Sequence, residues 1–233
     1  MPKKPAVTRS GAPSERTRLR RLHERGQYDH ATVAAILDAQ PLCTFAYCRD
    51  GKPYVVPTFQ WREGEHVYWH GSSASQALKT IAGKGTSKGP VGAEVCLNVT
   101  ILDGLVLARS GFNHSANYRS VTIYGIATVL EGKEEKARAL KGFVDALVPG
   151  RWDSLRPMTA QEIKATTVLT MPIDEASAKI RTGGPHDDEE DYALPIWAGV
   201  LPIVQRSGVL EADPRNVAGV PVPDHLKDFG FMP

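Results

Sequence analysis

Apolar and polar positions alternate through much of the chain between residues 42 and 171, and a period of two predicts β-strands. Residues 42–48 read as one strand, Arg49-Asp50-Gly51-Lys52 as a turn with the Asp-Gly hairpin signal, and residues 54–61 as the return strand. Pro57 has no N–H to give a central ladder. The return strand therefore lies at an edge, carries a bulge, or stands where the sheet opens toward something. Residues 62–65 turn again, and a third strand delivers Trp69 and His70. Residues 93–101 alternate strongly and form a fourth strand. Asp103-Gly104 then marks either a tight turn or a bulge before 105–108. The longest strand, 118–130, places Val121, Ile123, Gly125, Ala127 and Val129 on one face, and Gly125 marks a bend or a close backbone approach. Residues 166–171 add a further strand.

Between these strands the period changes to that of a helix. Asp29 caps a helix whose face carries Val33, Ile36 and Leu37 and which ends before Pro41. Ala74, Ala77, Leu78 and Ile81 repeat at helical spacing behind Ser73 and Gln76, a capping-box pair. Residues 133–148 carry an apolar stripe of Ala137, Leu140, Phe143, Val144 and Leu147, stopped by Pro149-Gly150. Thr159 and Glu162 form a second capping box for a short helix. Residues 84–90 are a flexible loop by composition. From Gly183 the texture shifts to a Gly-Pro turn, an acidic run over 187–191, and Pro-punctuated segments. Apolar pieces such as 196–201 predict that this tail packs on the body or on a partner. The expected class is mainly β (α+β): a barrel of about six antiparallel strands with peripheral helices. It divides into a basic arm at 1–25, a body at 26–182 and an extension at 183–233.

Composition narrows the setting. The 233 residues are 42% hydrophobic and 23% charged, ordinary for a globular protein. No apolar run approaches the roughly 20 residues that span a bilayer, and the basic N-terminus lacks the apolar core of a secretory leader. Cys43, Cys48 and Cys96 are odd in number with no CxxC pair, which predicts buried free thiols, no metal site and a cytoplasmic location. Residues 1–25 hold eight Lys/Arg against two Glu, while the remainder is net acidic. No aromatic residue interleaves with these charges, so the expectation is a solvated, partly disordered arm rather than a nucleic-acid contact.

Candidate chemistry centres on residues 70–79. A strand, the Gly71-Ser72-Ser73 loop and a helix start together make an anion cradle of N–H groups, hydroxyls and helix dipole. Elsewhere there is no GxSxG, HExxH or Walker loop. The seven histidines form no metal-type i, i+4 pair on a predicted helix, and His114-Ser115 has no partner acid nearby.

Residues 54–60, the Trp69-His70-Gly71-Ser72-Ser73 loop with its helix, and Phe112, Ser115, Tyr118, Arg119, Ser120 and Val121 follow one another in a recognisable order. Together they resemble the pyridoxamine 5′-phosphate oxidase-like split-barrel flavoproteins, and within them the nitroimidazole-resistance reductases and related flavin-nucleotide-binding proteins. The resemblance spans about residues 15–182. It implies a homodimer with FMN between the subunits. Val55, Val56, Pro57 and Thr58 would follow the isoalloxazine edge. Trp69, His70, Ser72, Ser73 and Ser75 would line the flavin and its phosphate, with Lys79 one turn beyond. Arg119 and Ser120 would approach from the long strand. Trp69 also fits a core position, Arg119 a pair with a surface acid, and Lys79 a solvated one. The family's Arg-Lys pair at the helix start is Ser75-Gln76 here. Its C-terminal Trp-and-Arg segment has only Trp197 as a loose counterpart, which speaks against pyridoxamine phosphate itself as substrate. The implied activity is reduction of a small, electron-poor organic molecule, with His70 as proton donor or substrate contact. The alternatives are a flavin, haem or deazaflavin carrier or sensor with His70 or His114 as axial ligand, and a partner-binding module that uses the basic arm.

Overall fold

The computed structural model describes residues 11–83, 92–227 and 229–231. The loop expected at 84–90 and the first ten residues of the arm lie outside these.

Local chemistry starts the fold. A two-residue strand, β1 (Gly26–Gln27), leads to Asp29, whose carboxylate accepts from the Thr32 N–H at 2.9 Å and starts α1 (His30–Ala39). The first hairpin joins β2 (Leu42–Arg49) to β3 (Lys52–Glu63) through Asp50 and Gly51, with φ of 52° and 71°. Two consecutive left-handed residues are what a type I′ turn requires. β4 (His66–Ser72) follows, then α2 (Gln76–Ile81), β5 (Ala93–Leu107) and β6 (Ser115–Val129). α3 (Lys133–Leu147) and α4 (Ala160–Ala165) precede β7 (Thr166–Pro172) and β8 (Glu175–Arg181), and the tail adds β9 (Gly199–Pro202) and α5 (Asp224–Lys227).

Six strands close a ring in the order β2, β3, β4, β7, β6, β5, all antiparallel, so the expected barrel is present. β1 and β8 extend it beside β6, and β9 extends it beside β5. Closure depends on β6 changing partners. It pairs with β8 as far as Tyr124 and with β7 from Thr128. Gly125 stands at that hand-over, where a Cβ would lie 2.9 Å from the Met171 side chain. The close approach expected there is real. Inside the ring Phe45, Trp69, Leu97, Val99, Val121, Ile123, Leu169 and Met171 pack with Val33, Ile36 and Leu37 of α1 and Leu78 and Ile81 of α2. A second cluster lies outside the ring, where Ala139 and Leu140 of α3 cover Trp61, Tyr68 and Val168.

Of the two settings open to Asp103-Gly104, the bulge is the one formed, inside the continuous strand β5. Several expectations are corrected. The buried edge of α3 carries Ala139 where Ala137 was expected. Of the cysteines only Cys43 is buried, and burial pushes its thiol up to about 12; Cys96 is half-buried and Cys48 exposed. Between residues 11 and 25 most side chains stay exposed, as expected of a solvated arm, but the segment is tied to the barrel at a few points. Thr17 is buried, the Leu19 N–H donates to the Tyr28 hydroxyl at 2.9 Å, and Arg16 bridges Glu94 and Glu175 while lying 4.9 Å from the Tyr124 ring centroid. Acids and an aromatic ring from three distant strands supply partners that the arm's own sequence lacks. Among the described residues no helix is long and apolar enough to cross a membrane.

Candidate functional site

The site forms where one ladder stops. β3 and β4 pair from Glu63↔His66 to Gln60↔Trp69 and no further. Beyond that point β3 pairs only with β2, and β4 only with β7, down to Ser72↔Thr166. Gln60 holds the fork: its buried side-chain amide donates to the Leu37 and Gln40 carbonyls at 2.7 and 2.9 Å, satisfying the C-terminal end of α1. The free edge of β3 carries the four predicted residues 55–58. Pro57 therefore stands where the sheet opens, one of the three settings its missing N–H allowed. Val55 and Pro57 face outward and are exposed, whereas Val56 packs against the barrel core.

Strand alternation sends Trp69 and His70 to opposite sides. Trp69 is wholly buried inside the ring, 5.6 Å from Phe45 between ring centroids, so it supports the site from beneath. His70 faces outward against Phe143 of α3, 4.4 Å away edge-on, with Trp61 at 6.0 Å. It opens on a cleft of about 450 Å³ lined by Leu140, Phe143, Val144, Trp152, Leu155 and Met158, with Arg156, Glu162 and Thr166 as its polar members. His70 Nδ1 is buried with no hydrogen-bond partner among the described residues. Desolvation lowers the imidazole pKa, which favours the neutral ring. Arg156 donates to Glu162 at 3.0 Å; that contact, with the Thr159 N–H, holds the Glu162 carboxyl at about 2.

The serine turn differs from its predicted form. Ser75, not Ser73, is the N-cap of α2, and it makes no side-chain cap bond, so the Ser73–Gln76 capping box is absent. The Ser73 N–H donates to the Ala165 carbonyl at 2.8 Å, the Ser75 N–H to the Ser72 carbonyl at 2.9 Å, and the Ala74 N–H to Ser72 Oγ at 3.1 Å. Three N–H groups of the expected cradle are thus committed, two within the turn and one to the end of α4. Ser72 and Ser73 are exposed and Ser75 is half-buried, and Lys79 is exposed in the last turn of α2. Arg119 and Ser120 belong to another wall. Arg119 Nε and Nη2 hold both oxygens of Asp103, the bulge residue, at 2.7–3.2 Å, and Ser120 Oγ donates to the Lys179 carbonyl at 3.3 Å. The surface-acid pairing open to Arg119 is the one formed. His114 lies on an exposed loop with Nδ1 2.8 Å from the Ser110 carbonyl, away from any apolar enclosure.

The cleft's outer wall went unforeseen. Its signal was Trp152, Leu155 and Met158, three large apolar residues inside an otherwise polar connection between two helices. Among the described residues no cluster of three or more His, Cys, Asp or Glu is placed to hold a metal ion. The cleft instead offers one neutral imidazole on an apolar wall. That combination fits a flat apolar macrocycle whose metal carries its own equatorial ligands.

The family model for pyridoxamine 5′-phosphate oxidase matches residues 29–180. Among solved structures, the flavocytochrome Anf3 from Azotobacter vinelandii is 49% identical, with a TM-score of 0.85, covering 93% of this chain and 97% of that one. The FAD and heme binding protein from Mycobacterium smegmatis is 34% identical, with a TM-score of 0.82, covering 89% of this chain and 98% of that one. A protein assigned to 5-nitroimidazole antibiotic resistance from Bacteroides thetaiotaomicron shares the fold, at 18% identity and a TM-score of 0.53 over 66% of this chain. No curated protein matches. A match over 93% leaves only about 16 residues unmatched, so most of the 51-residue tail from Gly183 is shared with the flavocytochrome. That tail lies beyond the end of the family model.

Proposed function

The chain belongs to the pyridoxamine 5′-phosphate oxidase family, a split barrel, and on that premise we propose that it holds a flavin and a haem and passes electrons between them. The observation that carries the reading is His70: a half-buried, neutral imidazole facing an apolar cleft. Two relatives that match nearly the whole chain support it, one a flavocytochrome and the other named for FAD and heme. When bound, the flavin supplies hydride and single-electron chemistry and the haem a one-electron couple.

The chain's residues then have separate tasks. His70 would hold a haem iron through its lone pair, because desolvation disfavours its protonated form. The same shift leaves little of the protonated form near neutral pH, so a role as iron ligand is preferred to that of proton donor. Leu140, Phe143, Val144 and Leu155 form the apolar wall of the cleft, and the Arg156–Glu162 pair stands among its polar members. The flavin is assigned to the open edge of β3 at Val55 and Pro57, with its phosphate toward Ser72, Ser73, Ser75 and Lys79. FAD is preferred to the FMN that the resemblance implies, because the M. smegmatis relative is named for FAD. Reduction of an electron-poor small molecule remains the task of the flavin. A homodimer accounts for Leu42, Val55, Phe59 and Leu102, large apolar side chains on one outward sheet face.

The visible spectrum of the purified protein tests this directly. Oxidised flavin bands together with a Soret band are expected, and chromatography of the released flavin separates FAD from FMN. In His70→Ala the Soret band should be lost while the flavin bands remain. A colourless protein that takes up neither added flavin nor added haemin would refute the proposal; a Soret band unchanged in His70→Ala would remove His70 from the iron.

A further inference from the structure

We infer that residues 208–222 form an arm that one copy of the chain lays across the outward β2–β3 face of a second copy. The inference rests on the homodimer proposed above and adds the element that holds it.

The arm has a fixed base. β9 pairs with β5, the Ile203 N–H donates to the Asp103 carbonyl at 3.1 Å, and Gln205 Oε1 accepts from the amide of buried Gln40 at 3.2 Å. The returning chain closes on the same base. The Ser207 N–H donates to the Phe231 carbonyl and the Phe231 N–H to Ser207 Oγ, both at 3.2 Å, while His225 packs beside Gly150. Between these anchors every residue from 208 to 222 is exposed. The stretch is not shapeless: turns close from Asn216 N–H to the Asp213 carbonyl at 3.0 Å and from Val220 N–H to the Val217 carbonyl at 3.3 Å. Yet it holds out Val209 at 93%, Val217 at 76% and Val220 at 64% exposure, with Leu210 and Val222 beside them.

A second copy fits this arm better than other partners. Its charges are Glu211, Asp213 and Arg215, so it lacks the basic cluster that an anionic lipid surface or a nucleic acid demands. The complementary apolar surface is on the same molecule. Leu42 and Phe59 are directly opposed across the β2–β3 ladder, and Leu102 of β5 lies on the same outward face. That face begins two residues from Gln40, where the arm departs. An uncovered apolar arm beside an uncovered apolar face is the self-complementary arrangement a two-fold axis satisfies, each copy giving one and receiving the other. Fifteen residues running out and back reach about 25 Å at ~3.3 Å per residue, enough to cross about five strands at ~4.8 Å spacing.

Full-length protein with a photo-crosslinking amino acid at Val217 is mixed with isotope-labelled wild-type chain and irradiated. Covalent dimers of mixed isotope content are expected, with the link mapping to residues 42–59 of the other copy. Alongside, the triple variant Val209→Ser, Val217→Ser, Val220→Ser should weaken dimerisation by about a hundredfold by sedimentation, as apolar truncations at an interface do. Crosslinks within one chain only, a wild type that sediments as a monomer, or an unchanged dimer constant in the triple variant would each overturn the arm. The cofactor reading is judged separately by the visible spectrum: a pigmented protein without arm crosslinks fails only the arm, and a colourless crosslinked dimer fails only the cofactors.

Discussion

Trp69 and His70 are neighbours on β4, and the strand's two-residue alternation gives them opposite surroundings. Trp69 points into a closed ring, is wholly buried and meets Phe45. His70 points out to a cleft whose far wall comes from residues 140–158. Inside, packing is continuous, and a polar group can only be tolerated. Outside, a helix bridges the sheet incompletely and leaves a nitrogen without a partner among the described residues. The contrast shows how one strand serves stability with one side chain and chemistry with the next. Filling both faces equally well would leave no room for a ligand.

Three measurements press on that contrast. Trp69→Ala should be the most damaging, costing about 3–5 kcal/mol as core aromatic truncations do, read by chemical denaturation. A loss under about 1 kcal/mol would mean the ring interior is not the main source of stability. Gly125→Ala comes next. Its Cβ must displace Met171, itself fully buried, at the point where β6 changes partners, and overpacking of this kind costs about 1–3 kcal/mol. Recovery by a smaller residue at 171 would identify the clash as the cause. The smallest effect belongs to His70 and is a matter of pH. Because burial lowers its pKa below 6.5, the unfolded chain binds a proton that the folded one refuses. Its contribution is therefore complete above about pH 6.5 and is lost as the pH falls toward the depressed folded value. In cofactor-free protein His70→Gln should flatten the stability profile in that acidic window and leave it unchanged at pH 8. A profile identical to wild type throughout would place His70 in solvent rather than in the cleft.

The parts legible in the sequence are those whose cause lies within a few residues. Asp50-Gly51 specifies its hairpin, Asp29 its cap, and Thr159 with Glu162 a capping box whose two hydrogen bonds both form. Ser73 and Gln76 show the same signature without the box. Ser73's N–H is drawn instead to Ala165, ninety-two residues away, so a tertiary contact overrode the local rule. β8 went unread because Glu175–Arg181 is mostly small or charged and becomes a strand by lying against β6. The family motif exposed the serine turn and the β3 edge, yet Arg119 turned to the bulge carboxylate of Asp103 that the same sequence supplies.

By itself, then, the sequence determined the six strands of the ring, their main turns, the barrel class and the place of His70 near the end of a strand. Those follow from side-chain period and backbone preference, which act between neighbours. Tertiary structure decided that the ring closes through β6, that the β3–β4 ladder stops at Gln60, and that α3 and residues 148–158 build a wall opposite His70. Each of these joins residues tens of positions apart. Their cost is chain entropy and their gain is shared burial, and that balance is struck only in the folded molecule.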